Sequence, residues 1–285
     1  MIEPSQKGDL LIEDMVGVEG GEDCFHVWWL GQSGFLLKWN GDFLLFDPYL
    51  SDSLSRKYEG TDKPHVRMSE LVVDPARLVF VKSITSSHNH TDHLDRETLC
   101  AISEASGGVS LVLPEANIGF AKERLIGGAI DYVGINELSV TRIGPWRIEG
   151  VAAAHNEVER DEEGRCVFLG FQVTFGGFRV YHSGDTLWHD ELVGQLRGGP
   201  PDLALLPING NKPERRVAGN LNGQEAAELA HTIGARVVVP CHYDMFTFNT
   251  EEPDEFISFC ERLGQSYRVM KGGERLTIHR VKAES

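Results

Sequence analysis

Apolar residues in this chain come in short bursts, and the spacing inside each burst decides which element it predicts. Residues 25–50, "FHVWWLGQSGFLLKWNGDFLLFDPYL", hold three bursts separated by glycine-containing turns, the pattern of a β-meander. "LVFVKSITSS" (78–87) is rich in β-branched residues and predicts a buried strand. "DRETLCAISEAS" (95–106) opens with an aspartate cap and continues at helical spacing. Strand "SLVLP" (110–114) and helix "EANIGFAKERLI" (115–126) follow. Four strands come next: "LSVTRI" (138–143), "WRIEGVAAA" (146–154), "CVFLGFQVTF" (166–175) and "FRVYHSG" (178–184). Beyond Gly184 the alternation resumes with helix "WHDELVGQLR" (188–197), strand "DLALLPI" (202–208), helix "NGQEAAELAHTIG" (222–234), strand "RVVVPCH" (236–242) and helix "PDEFISFCERL" (253–263). Two strand-rich stretches, each followed by α/β alternation, predict an α/β fold with two sheets face to face and helices outside. No linker, repeat or low-complexity tract divides the chain, so residues 1–285 are expected to form a single domain, with 1–24 as a polar lead-in.

Composition narrows the function. The 41% hydrophobic content over 285 residues supports a sizeable core. Lys and Arg number 27 against 43 Asp and Glu, a formal charge of −16, which repels nucleic acid and anionic membranes and makes both unexpected partners. A small-molecule substrate, if anionic, then needs a local basic or metal-based site. Five cysteines without CxxC spacing point to a reducing, cytoplasmic setting rather than a disulfide framework. The acidic amino terminus has no basic stretch leading into an apolar core, and no apolar run approaches the ~20 residues of a membrane helix, so neither export nor membrane insertion is expected. Self-association is open, and nothing in the sequence locates an interface.

The chemistry lies in "SSHNHTDHLD" (86–95), on a predicted strand-to-helix loop. His88 and His90, two apart, project to one side of an extended segment and can share an ion, while Asp92 and His93 offer a carboxylate and an imidazole to a second. Such ligands suit Zn²⁺ at about 2.0–2.2 Å, with Mn²⁺ or Fe²⁺ as alternatives. A short loop cannot complete two coordination spheres, so further ligands are expected at other strand ends. His155 follows "RIEGVAAA", Asp185 lies in "YHSGDT" and His242 ends "VVVPCH". The expected division is His88, His90 and His155 on one ion, Asp92, His93 and His242 on the other, and Asp185 bridging.

In order and context, "SSHNHTDHLD", His155, "YHSGDT" and "VVVPCHYD" resemble the metallo-β-lactamase superfamily of binuclear metallohydrolases. Within it, "WWLGQSGFLLKWNGDFLLFDPYL", "YHSGDTLWHDEL" and "NGQEAAELAHTIGARVVVPCHYDMF" are similar to the L-ascorbate-6-phosphate lactonase branch, over residues 26–250 or so. The resemblance implies an αβ/βα four-layer sandwich of two mixed sheets with the metals at one edge. It also implies that Asp47, in "LLFDPYL", hydrogen-bonds a ligand histidine. Relatives with a di-iron redox pair carry a carboxylate where this chain has His90, which favours hydrolysis over redox chemistry.

The expected activity is hydrolysis by a hydroxide held between two cations, with Asp92 and Asp185 as the catalytic carboxylates and a small sugar lactone, with or without a phosphate, as first substrate class. In "PINGNKPERRVAGNLNGQEA" (207–226), Lys212, Arg215 and Arg216 supply positive charge, and Asn222 stands at a helix start where free N–H groups favour an anion. Tyr243 is expected to line the pocket. Competing readings are a phosphodiesterase or phospholipase of the N-acylethanolamine phospholipase type, whose motif "HNHTDHLD" also resembles, and a non-catalytic sensor of metal and ligand.

Overall fold

The computed structural model describes residues 1–196 and 198–280. Its first sheet grows from the predicted meander, β1 (Cys24–Gly31), β2 (Gly34–Trp39) and β3 (Asp42–Phe46), paired antiparallel. It continues in parallel through β4 (Ser83–Thr85), β5 (Val109–Pro114) and β6 (Ile130–Ile135). The second sheet contains β7 (Val140–Ile143), β8 (Trp146–Ala152), β9 (Leu169–Phe175) and β10 (Phe178–His182) in antiparallel order, then β11 (Leu203–Pro207) and β12 (Val238–Cys241) in parallel. The last described strand, β13 (Arg275–His279), returns to pair with β1. Both sheets are therefore mixed, in the orders β13-β1-β2-β3-β4-β5-β6 and β12-β11-β10-β9-β8-β7.

Strand alternation sorts the apolar side chains into two cores. From β1, Val27 and Trp29 face the second sheet, where they join Phe35, Leu37, Leu44 and Phe46 against Ile148, Phe171, Val173, Val180 and Leu205. The intervening Trp28 and Leu30 face the other way, onto α1 (Gly8–Gly17), α3 (Arg96–Ser106) and α4 (Ile118–Arg124). Helices α6 (Gly223–Thr232) and α7 (Asp254–Leu263) cover the outer side of the second sheet with Ala226, Leu229, Phe256 and Cys260. Helix, sheet, sheet and helix layers give the expected four-layer α/β sandwich. Two short helices, α2 (Ser53–Lys57) and α5 (Leu192–Gln195), lie in connections.

Several elements differ from the sequence expectation. The amino-terminal segment is not a mere lead-in, because α1 buries Leu11 and Met15 completely. Its frayed end is closed by Lys38, whose ammonium donates to the carbonyls of Met15, Val16 and Val18 at 2.9–3.0 Å. Within 78–87 only Ser83–Thr85 is strand, since Leu78 and Val81 pack inward from a turn that leaves Val79 exposed. The helix expected over 188–197 shrinks to Leu192–Gln195, and Arg197 lies outside the described residues. Strands β6 and β13 had no counterpart in the sequence reading; both end as edges of one sheet, where burial is partial and the hydrophobic signal weak.

Because α1 is part of the core, Met15→Ala is expected to destabilise the protein by about 2–5 kcal/mol. Denaturant unfolding monitored by circular dichroism checks this, and a change within error would return residues 1–24 to the status of a lead-in.

Candidate metal centre

β1, β3, β4, β8, β10 and β12 all finish at one edge of the sandwich, and the loops that leave them carry the titratable residues. Asp47 follows β3, the 86–95 loop follows β4, His155 follows β8, Asp185 follows β10 and His242 follows β12. The 86–95 loop is closed at both ends by Ser86, whose hydroxyl donates to the carbonyls of His88 (3.2 Å) and His93 (2.8 Å). Asp95 then caps α3 by accepting from the Thr98 backbone N–H at 3.0 Å. Gly184 lets the β10 loop approach: its φ is +59°, and a Cβ there would stand 2.6 Å from the Cβ of Ser87.

Three nitrogens converge at the first position. His88 Nε2 lies 2.9 Å and His155 Nε2 3.2 Å from His90 Nδ1. His155 donates its Nδ1–H to the Gly219 carbonyl at 2.9 Å, so its Nε2 presents a lone pair to the cluster. Burial, reinforced by the charges of neighbouring imidazoles, holds His88 well below the ordinary histidine range; His90, exposed at the mouth of the site, is lowered to about 4 by the partial desolvation of its ring and by His155. Burial also lowers His155, against the pull of Asp185. These imidazoles are neutral at pH 7, as metal ligation requires.

A second group forms around His93 and His242. His93 donates Nδ1–H to Asp47 at 2.6 Å, which turns its Nε2 toward Asp92 (3.6 Å) and Asp185 (3.4 Å). His242 Nε2 lies 3.7 Å from Asp92 and 3.3 Å from Asp185. Asp185 Oδ2 also lies 3.6 Å from His155 Nε2, so one carboxylate oxygen touches both groups. Burial opposes charge on His93 and on both carboxylates, yet their mutual attraction wins: His93 is raised well above its usual range, and Asp92 and Asp185 are lowered. Two ionised carboxylates buried together demand positive charge, which a proton on His93 or a divalent cation supplies.

The donor set fits a metal on a separate observation. Among the described residues, His93 Nε2 and Asp185 Oδ1 are buried without a hydrogen-bond partner, which is costly unless something accepts their lone pairs. Ligand atoms from His88, His90 and His155, from His88, His93 and Asp185, and from Asp92, His93 and His242 are close enough to share ions. Asp47 does more than hold His93, for it also accepts from the Ser87 backbone N–H at 3.0 Å and from the Ser87 hydroxyl.

The expected substrate contacts fare differently. Arg216 does line the cleft over the cluster, but its guanidinium is paired with Asp62. Lys212 and Arg215 are instead paired with Glu251, and Arg215 also donates to the carbonyls of Asn209 and Thr250. Asn222 spends its side chain on the N–H of Glu225, whose carboxylate returns to the Asn222 N–H at 2.9 Å, so the helix start already holds its anion. Lys212 and Asn222 line a separate cavity with Glu251, Glu252 and Glu255, a poor place for a phosphate. Tyr243 is buried, stacked on Trp29 and donating to the Met270 carbonyl, away from the cleft.

Other residues of the cleft had no signal in the sequence reading. Gln32, at the β1–β2 turn with φ +50°, donates Nε2–H to Asp92 at 2.8 Å and lies 3.0 Å from His242 Nε2. Phe168 packs its ring against the imidazoles, with centroids 5.2 Å from His88 and 5.5 Å from His155. Lys57, Tyr58, Lys63, His65, Phe246 and Phe248 also line the cleft. A glutamine in a tight turn or a lone histidine after proline announces nothing until the fold is known.

Residues 44–243 match the family model described as a β-lactamase superfamily domain. A UPF0173 metal-dependent hydrolase of Rubrobacter xylanophilus is 31% identical over 88% of this chain and 95% of its own length. A second, from Caldivirga maquilingensis, is 30% identical over 88% and 96%. Among solved structures, the metallo hydrolase Igni18 of Ignicoccus hospitalis superimposes with a TM-score of 0.63 at 23% identity, covering 90% of this chain and 99% of that one. An isothiocyanate hydrolase from Delia radicum gut bacteria has the same fold, with a TM-score of 0.71 at 16% identity over 90% and 100%. Strand-end histidines and aspartates gathered at one edge of this sandwich, together with these matches, make the chain a metal-dependent hydrolase that belongs to the metallo-β-lactamase superfamily.

Proposed function

We propose that the centre takes two divalent ions, zinc first among them, and that the enzyme opens the ester of a small, anionic lactone. The observation that carries the two-ion reading is the single oxygen of Asp185 set 3.3–3.6 Å from His93, His155 and His242, between two groups of ligand atoms. His88, His90 and His155 would hold one ion, and Asp92, His93 and His242 the other, with Asp185 shared. When bound, such ions lower the pKa of a water between them from ~15.7 toward neutrality and polarise the scissile oxygen.

The chain's own groups supply the rest. Asp92, fixed by Gln32, is the carboxylate placed to orient the attacking water and accept its proton. Asp47 and the Gly219 carbonyl lock the tautomers of His93 and His155. Lys57 and Lys63 put positive charge on the rim of the cleft in a protein of net charge −16, while Arg216 is paired with Asp62, and Tyr58, Phe246 and Phe248 offer an apolar wall to the carbon skeleton. A cleft of about 220 Å³ over the cluster has room for a small molecule. The five unpaired cysteines support a reducing compartment, and no helix of the described residues is long and apolar enough to cross a membrane.

Protein purified without added metal is expected to carry about two ions per chain by elemental analysis. It should hydrolyse lactones in preference to phosphodiesters, lose that activity on chelation, and lose more than ~100-fold with Asp185→Asn. Preference for phosphodiesters would replace the substrate class; metal-dependent ligand binding without turnover would favour a sensor; indifference to chelator and mutation would overturn the centre. Asp47→Asn places an amide opposite the Nδ1–H of His93 and is expected to weaken metal affinity by about 10–100-fold, read by competition with a chromophoric chelator. Unchanged affinity would mean that Asp47 only braces the Ser87 loop.

A further inference from the structure

We propose that His65, in the cleft that holds the metal centre, is the acid that protonates the departing oxygen of the substrate. The proposal rests on the ester-hydrolase reading above.

Four observations place it. His65 lines the same cleft as Asp92, Asp185, His90, His155 and His242. Its Nδ1–H donates to the Lys63 carbonyl at 2.8 Å, so the tautomer is fixed and Nε2 is left without a partner among the described residues. Its ring is clamped, stacked on Tyr58 with centroids 4.5 Å apart and met edge-on by Phe246 at 5.3 Å and Phe248 at 5.1 Å. Its backbone is pinned from two sides: Ser55 donates to the His65 carbonyl at 2.6 Å, and the 66–68 segment pairs with 245–247 through Thr247 N–H to Val66 at 2.9 Å and Met68 N–H to Met245 at 2.8 Å.

The other histidines outside the cluster show what a structural role looks like. His26 has both ring nitrogens engaged, with Thr277 and with the Glu19 carbonyl. His182 and His189 each donate Nε2–H to a carbonyl, of Ser33 and of Ala152; their Nδ1 atoms are buried without a partner among the described residues, and neither residue lines the cleft. His65 is half-buried, lines the cleft that holds the reacting groups, and has one ring nitrogen unclaimed among the described residues. Burial lowers its affinity for a proton, the Lys63 carbonyl and Asp92 favour the protonated form, and His242 and Lys57 oppose it. A base that rests neutral and gains a proton only as one is released nearby suits a relay.

The step balances. The water oxygen bonds to the acyl carbon, and the bond from that carbon to the alkoxide oxygen breaks. The proton that Asp92 takes from the water is passed to Nε2 and from there to the departing oxygen, giving an alcohol and a carboxylic acid and returning Asp92 to its ionised form and His65 to its neutral form. The acid then ionises to solvent.

The test uses the metal-loaded enzyme and a series of esters with one acyl group and leaving groups running from 4-nitrophenol to a simple alkyl alcohol. His65→Asn keeps an N–H donor for the Lys63 carbonyl but cannot carry the proton. It is expected to retain the wild-type metal content, to lose about 100-fold or more in kcat on the alkyl ester, and to stay within ~3-fold on the 4-nitrophenyl ester, whose leaving group needs no acid. His65→Gln, measured alongside, should follow the same dependence. Equal losses across the series, or none, would overturn the role of His65 while leaving the hydrolase reading intact. Failure of the wild-type enzyme to turn over any ester would overturn that reading and the proposal with it. Independently of activity, ¹⁵N spectra of the metal-free protein should show His65 protonated on Nδ1; protonation on Nε2 alone would remove the lone pair the relay requires.

Discussion

The centre is organised by one buried carboxylate. Asp185 has almost no contact with water, and an ionised carboxylate in that position is tolerable only if positive charge and polarised N–H or metal neighbours surround it. The fold meets that demand by bringing strand ends from both sheets to the same edge, so that imidazoles from the β4, β8 and β12 loops reach one oxygen. The close approach of Gly184 to Ser87 brings the two sheets' loops together, and Ser87 in turn hydrogen-bonds Asp47, which orients His93. A chain of short polar contacts thus connects a glycine in one sheet's loop to the direction of a histidine lone pair in the other.

Much of this was legible because it is written in local patterns. The meander, the cap at Asp95 and the strand-end position of His88, His155, Asp185 and His242 each follow from alternation, capping and residue type within a few positions. Asp47 was reachable through resemblance, because a strand-ending aspartate before proline has an ordinary turn explanation by itself. The structure adds its partner and its distance.

What was illegible depends on contacts distant in sequence. The charges of Lys212 and Arg215 look free for a ligand in the sequence, but Glu251, some 36–39 residues away, pairs with both. Asn222 was read as an open helix start, although Glu225 three residues on already satisfies it. Tyr243 sits next to a candidate ligand, yet the left-handed backbone at His242, φ +65°, sends the two neighbours in different directions. Gln32 and His65 gain meaning only when the β1–β2 turn and the 57–68 segment close over the cluster, and Leu11 and Met15 only when Trp28 and Leu30 present an outward apolar face.

The central claim is that Asp185 is shared by two ions. Anomalous diffraction at the metal absorption edge, on crystals of protein purified without added metal, tests it directly. The account predicts two peaks about 3.5–4 Å apart, one bonded to His88, His90 and His155, the other to Asp92, His93 and His242, with Asp185 between them. A single peak, or two that leave Asp185 unshared, would contradict it.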